Sequence, residues 1–440
     1  MNGFEAIEAR KNSGLAKKVI YQIFLRAFTP EGTIKAATEK LEHIASLGVD
    51  ILYIVSFCEA DDDRRVEYWS PRQRDSKIDN SKNPYRISNY EKIDEEYGTA
   101  EDFREFVRRA HELGMLVMND LVYMHCGPSV FPYEHPDFIK RDEAGEIIYN
   151  SYHFPDLDYG NPELREYLWN NMLYWIREFD IDGYRCDVGD HVPLDFWREG
   201  RRRIDAVKPD FFMINEGVNA DFLVDTFDAN YDTLWSGTIG RVIKGERTHH
   251  DLRCVSVGVM AKNPDGTLTL RGYENHDIAN DAYDKRLDRV AYENTEAAIV
   301  ISFLLEGVPF LYNGNEFADS VRHSLWSLKG DEFRIDWSAL ESDKGKRRMD
   351  IVKKMCAIRH SEPALCFGTT NWEKHPSLAV FEREYQNDVI RVFVNFSKQD
   401  VTVPLPEGDI LLSGRVNIKN KDIALLSGGY VAVKLKKHGV

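Results

Sequence analysis

As far as His360, the apolar positions of the chain keep to two alternating rhythms. Short runs rich in branched and aromatic residues read as buried strands, and stretches with apolar residues every three or four positions read as helices. "VIYQIFLRAF" (19–28), "VDILYIVS" (49–56) and "MLVMNDLVYMH" (115–125) are the first three strands. "ATEKLEHIASLG", closed by Gly48, lies between the first two as a helix. In "TAEDFREFVRRAHELG", Thr99 and Asp102 are spaced as a capping box, and Phe103, Phe106, Val107, Ala110 and Leu113 share one face. A further helix opens with Asn161 as cap and Pro162 in its first turn, and its buried stripe is Leu164, Leu168, Met172, Trp175 and Phe179.

Five more strand candidates follow: "IDGYRCD", "FFMINE", "YDTLWS", "LTLRGYENHD" and "VPFLYNG". Eight strands separated mostly by helices predict an α/β fold, a (β/α)8 TIM barrel. A short protruding domain, at about 126–155, interrupts it between the third strand and its helix. From residue 364 the period drops to two, in "LAVFEREYQNDVIRVFVNFSKQDVTVPL" and "YVAVKLKK", with no amphipathic helix. The predicted organisation is a catalytic barrel over 1–363 and a C-terminal antiparallel β-sandwich domain over 364–440.

Composition narrows the partners. A length of 440 residues suits one large domain and a smaller one. The net charge of −16 argues against nucleic acid or an anionic membrane and for a neutral or cationic ligand. No apolar run approaches the ~18 residues of a spanning helix. The amino terminus, "MNGFEAIEARKNSG", shows no signal region, so a cytoplasmic protein is expected, or an exported one whose signal lies outside this sequence. Cysteines 58, 126, 186, 254, 356 and 366 have no metal-like spacing and read as free thiols.

The chemistry gathers where strands end, which in such a barrel is where catalytic residues sit. The third strand ends in Asp120 and His125, the fourth in Arg185 and Asp187, the fifth in Glu216, and the seventh in Asn275, His276 and Asp277. Neighbouring strands run ~4.8 Å apart, so carboxylates at adjacent ends face one another. A pair about 5–5.5 Å apart suits a retaining glycosidase. Arg185 is expected to hold Asp187 ionised as nucleophile, leaving Glu216, crowded by carboxylates, to carry the proton. Taken singly, an Arg-x-Asp is more often a structural ion pair and an "NHD" more often a turn; their joint occurrence at four strand ends favours a site. Cys186 should point away from the cleft by strand alternation. His249 and His250 fall in a polar loop with no carboxylate at ligand spacing, so no metal site is expected there.

These segments resemble the α-amylase family, glycoside hydrolase family thirteen. "DLVYMH", "GYRCDVGDH", "INEG" and "YENHD" are similar to its four conserved segments; "NPYRISNYEKIDEEYGT", "FPDLDYGNPELREY" and "GVPFLYNGNEF" resemble flanking ones. The resemblance implies Asp187 as nucleophile, Glu216 as acid/base and Asp277 as the residue gripping sugar hydroxyls. It implies His125 and His276 on the same sugar and Tyr85 stacked beneath it. The substrate it implies is an α-glucan or malto-oligosaccharide, cut at α-1,4 bonds with α-1,6 bonds also open. An α-glucan transglycosylase would use the same residues, whereas a non-catalytic carbohydrate-binding or chaperone-like relative should have lost one of the three carboxylates.

The sequence departs from the family pattern at three positions. Met124 replaces the asparagine that usually ligates calcium, and Asp156 and the His191 carbonyl are the candidate ligands that remain, so no cofactor is expected, with calcium as the alternative. Asp190 stands where many amylases carry a lysine that contacts the leaving sugar. Val188, after the nucleophile, is larger than the residue usual in strict α-1,4 amylases. With no sequence beyond the small β domain for a starch-binding module, short or cyclic α-glucans are the expected substrates.

Overall fold

The computed structural model describes residues 14–231, 233–281, 286–328 and 332–436. The amino-terminal segment read for an export signal lies outside them, apart from Gly14. Eight parallel strands close a barrel in sequence order: β1 Ile20–Ile23, β2 Ile51–Ile54, β3 Leu116–Leu121, β4 Gly183–Cys186, β5 Phe212–Asn215, β6 Ala229–Asn230, β7 Leu268–Arg271 and β8 Val308–Tyr312. Alternation along each strand separates two cores. Ile20, Tyr53, Met118, Ile214, Leu270 and Phe310 fill the lumen. Tyr21, Leu52, Val117, Tyr184, Cys186 and Met213 pack outward against the helices. Cys186 thus points away from the lumen, as alternation predicts.

Two strands differ from the pattern reading. β1 stops at Ile23, and Leu25–Phe28 turn into a short helix. The Phe24 N–H leaves the ladder to donate to Asn313 Oδ1 (2.7 Å), so the apolar run outlasts the strand. β6 is only Ala229–Asn230, ahead of the expected "YDTLWS". Thr233–Ile243 is a helix, and its fully buried Trp235, with Ile239, Val242 and Ile243, accounts for the apolar signal. His249 and His250 likewise open a helix, His249–Lys262, and His249 Nε2 donates to the His375 carbonyl (2.9 Å). The Thr99–Asp102 capping box forms as predicted.

Two excursions overhang the carboxyl ends of the strands. After β2, an antiparallel ribbon pairs Cys58–Ala60 with Ile87–Ile93 and encloses a short helix, Pro71–Ser76. After β3, the protruding segment is pinned by isolated bridges, His125 to Asp156 and Tyr149 to Pro155 among them. Beyond the helices Asp343–Ser361 and Pro363–Phe367, six antiparallel strands follow: β9 Thr369–Glu373, β10 Ala379–Tyr385, β11 Asp388–Val394, β12 Val401–Pro404, β13 Gly408–Lys419 and β14 Asp422–Leu435. One face of this sheet, with Phe381, Val392 and Ala432, packs onto the outer core of the barrel. The other, with Val380, Phe393 and Val431, closes over a small core with Val403 and Leu425.

Candidate active site

Strand register sets the centre of the site. Pairing of β3 with β4 puts Asp120 directly beside Arg185. The ladders then run one step past the strand ends: Asp187 N–H donates to the Leu121 carbonyl (2.8 Å) and Glu216 N–H to the Cys186 carbonyl (3.0 Å). Both carboxylates therefore leave rigid backbone. The Arg185 guanidinium, 1% exposed, holds all three acids. Its Nη1 donates to Asp120 Oδ1 (2.7 Å) and Asp187 Oδ1 (2.8 Å), and its Nη2 reaches Glu216 Oε2 (2.6 Å). A planar fork can bridge separate carboxylates in this way, and a lysine cannot.

The electrostatics differ from the expected division of labour. Burial pushes the Asp187 carboxyl well above the usual aspartate range; Arg185 pulls it down, and Glu216, Asp120 and Asp277 add to the upward push. Arg185 is shared among three carboxylates and does not serve the nucleophile position alone. Groups this close titrate together, and Asp187 keeps its proton to higher pH than an isolated aspartate. Asp120 is the anchor: its Oδ2 accepts from Tyr53 (2.8 Å) and Tyr85 (3.0 Å), so both of its oxygens are taken.

Asp277 closes the site from the β7 end. Burial pushes its carboxyl up, yet the carboxyl lies well below the usual range because His276 and Arg72 beside it outweigh burial. Burial also drives His276 toward its neutral form, which leaves Arg72 as the lasting positive partner, with Nη1 2.8 Å from Asp277 Oδ1. His276 N–H donates to Gln22 Oε1 (3.1 Å), which turns Gln22 Nε2 toward His276 Nδ1 (2.8 Å). That fixes the tautomer with hydrogen on Nε2, facing the Tyr85 hydroxyl at 2.5 Å. His276 is 1% exposed and stands behind the cleft wall, supporting Tyr85 and Asp277, where a direct sugar contact was expected.

The cleft, open to solvent on one side, spans about 540 Å³. Tyr85, His125, Asp187, Glu216 and Asp277 line it, as the sequence reading placed them, and Arg185 and His276 do not. His125 Nε2 donates to the Tyr85 carbonyl (3.0 Å), while burial lowers the ring to about 4 and keeps it neutral. Its Nδ1 is buried and, among the described residues, has no hydrogen-bond partner. The sequence reading missed Arg72, Tyr152, Phe154 and Trp326 on the wall. They come from the two excursions and from the segment after β8, where no periodic pattern marks a residue's direction.

The family model for the alpha-amylase catalytic domain matches residues 8–144 and 147–234. The chain belongs to the alpha-amylase family. Among curated alpha-amylase relatives, it is 30% identical over 412 residues to a cyclomaltodextrinase of Geobacillus thermopakistaniensis, covering 85% of this chain and 64% of that one. It is 25% identical over 415 residues to an α-amylase of Haloarcula japonica, covering 89% and 57%. The chain thus spans about three fifths of the length of these relatives. The crystal structure of an α-amylase from Lactobacillus plantarum superposes with a TM-score of 0.78 at 26% identity, covering 96% of this chain and all of that one.

The three departures from the alpha-amylase pattern now have a setting. Val188 lines the cleft in a left-handed conformation (φ 43°, ψ 41°) that branched side chains seldom adopt, and its N–H donates to Glu216 Oε2 (2.8 Å). Asp190 is not on the cleft wall; its carboxylate binds the loop that follows β5. The residues around Met124 do not fit a calcium ion. Met124 offers a thioether, and Asp156 Oδ1 is taken by Asn150 Nδ2 (3.0 Å). Among the described residues, no three His, Cys, Asp or Glu side chains are grouped to hold a metal, and no helix is long and apolar enough to cross a membrane.

Proposed function

We propose that this chain is a retaining glycoside hydrolase that cleaves α-glucosidic bonds in starch-derived malto-oligosaccharides, α-1,4 bonds first and α-1,6 bonds second, with Val188 shaping the space for the leaving sugar. The observation that carries this is one buried guanidinium holding Asp187 and Glu216 at adjacent strand ends, with both carboxylates open to the cleft. With the shared proton on Glu216 and Asp187 ionised, Asp187 attacks the anomeric carbon while Glu216 gives that proton to the departing oxygen, so the C–O bond breaks as an ester to Asp187 forms. Glu216, now a carboxylate, takes a proton from water as that water displaces the ester. Two inversions give net retention.

Asp277 accepts from sugar hydroxyls, His125 walls the same sugar pocket, and the Tyr85 ring supplies an apolar face for the sugar. Short and cyclic substrates are the preferred size class. The name of the cyclomaltodextrinase relative supports this reading, and so does the crowding of the cleft by Val188 and Arg72. The test is proton NMR of the first product from maltotriose, followed by rates on soluble starch, pullulan and a cyclodextrin. The α anomer should appear first, and cyclodextrin should be opened faster per bond than starch. An initial β anomer would remove Asp187 from the nucleophile role.

A further inference from the structure

The residue in question is Asp190, three positions past Asp187. Position 190 invites a reading as a substrate contact, but the side chain is off the cleft wall and both of its oxygens already have protein partners. Its Oδ1 accepts from Asn215 Nδ2 (2.8 Å), and its Oδ2 accepts from the backbone N–H of Val218 (2.8 Å) and Asn219 (3.1 Å). Residues 215, 218 and 219 bracket Glu216 on both sides.

The packing is close enough to be specific. A Cβ at Gly217 would lie 2.2 Å from Asp190 Oδ1 and 2.5 Å from Asn215 Nδ2, so only glycine lets the carboxylate lie against this backbone. A Cβ at Gly189 would lie 2.2 Å from Asn215 Oδ1, so the opposing side is shaved in the same way. Outside the clamp, Lys262 Nζ donates to the Val218 carbonyl (2.9 Å). Asp190 thus ties the loop carrying Asp187 to the loop carrying Glu216, alongside the Val188 N–H that holds Glu216 Oε2 directly.

We propose that Asp190 is a positioning residue for the general acid: it fixes the Glu216 loop against the nucleophile loop, so that the acid meets the departing oxygen. This rests on the glycosidase reading above. A misplaced acid has a signature that neither lost sugar binding nor general loosening shares. Leaving groups that need a proton suffer, and those that depart unaided do not.

The experiment measures kcat/KM on two aryl α-maltosides, 4-methoxyphenyl and 2-chloro-4-nitrophenyl, for wild type, Asp190→Ala and Gly217→Ala. Both substrates lack a leaving sugar, so a sugar contact at Asp190 would leave their ratio unchanged. Methoxyphenol is a poor leaving group and needs the acid, whereas chloronitrophenolate leaves without it. In both variants the methoxyphenyl substrate should slow by about 100-fold, the lower range for general acid catalysis, and the chloronitrophenyl substrate by only a few-fold. Gly217→Ala displaces the carboxylate from the opposite side, so it tests the clamp even if Asp190→Ala does not fold. Equal losses on the two substrates, or no loss on either, would overturn the inference. A wild-type chain that cleaves neither would overturn the glycosidase reading, and the inference with it.

Discussion

Arg185 and Arg286 each lie buried against carboxylates near the carboxyl ends of barrel strands, and of this pair Arg185 alone serves the cleft. Arg286 grips Glu274 with Nε (2.9 Å) and Nη2 (2.7 Å), and its Nη1 donates to Asp319 Oδ2 (3.2 Å) and the Val321 carbonyl (2.6 Å). Asn315 Nδ2 adds a third donor to Glu274 (3.0 Å). All three charged side chains of this cluster are 0% exposed. The Arg185 cluster sets one guanidinium against three carboxylates, and the Asp187 and Glu216 side chains keep 8% and 20% exposure. Burial and ion pairing are therefore common to both. What separates the site is a larger excess of negative charge, three acids on one arginine against two, and an acid face turned to the cleft.

The largest effect that would break this comparison is on turnover. Asp187→Asn and Glu216→Gln should each lower kcat by ~1,000-fold or more, because an amide can neither attack nor deliver a proton. Neither variant should melt below wild type, and activity above a few per cent in a folded variant would sink the assignment. Next comes stability at the closed cluster. Glu274→Ala should cost about 3 kcal/mol in urea unfolding, since it removes the bidentate partner of a buried arginine and leaves only Asp319 to offset its charge; a variant as stable as wild type would show that the cluster is not structural.

The smallest effect sharpens the contrast through pH. Burial raises Asp187, so its contribution to stability is present while it is protonated, below the unfolded aspartate value of about 3.9, and is lost as pH rises through the raised folded value. Asp187→Asn has no proton to lose. Its melting temperature should match wild type in acid and exceed it by a margin that grows toward neutral pH. A gap that is constant or shrinks with pH would show that Asp187 is not carrying the burial cost.

How much of this was legible in the sequence depends on whether backbone periodicity transmits a residue's direction. Asp120, Arg185 and Asp187 follow strands of regular pattern, so their shared inward face could be read before any coordinates. Glu216 was legible for the same reason. β6 was not, because two residues make no period and the buried Trp235 of the next helix supplied a false strand. Arg72 reaches Asp277 across 205 residues of chain from a short helix in an irregular excursion. The sharing of Arg185 among three acids was hidden too, because strand alternation gives a direction and not a count of partners.

Val188 carries a consequence for anyone who selects this protein for heat resistance. A branched residue held at φ 43° and ψ 41° stores on the order of 1–3 kcal/mol of backbone strain. Glycine would relax that turn, and a screen scoring survival alone would favour it. The same exchange would strip a side chain from the cleft wall and slacken the N–H that holds Glu216. At this one position, then, durability and chemistry pull in opposite directions, and a hardier protein would be the slower one.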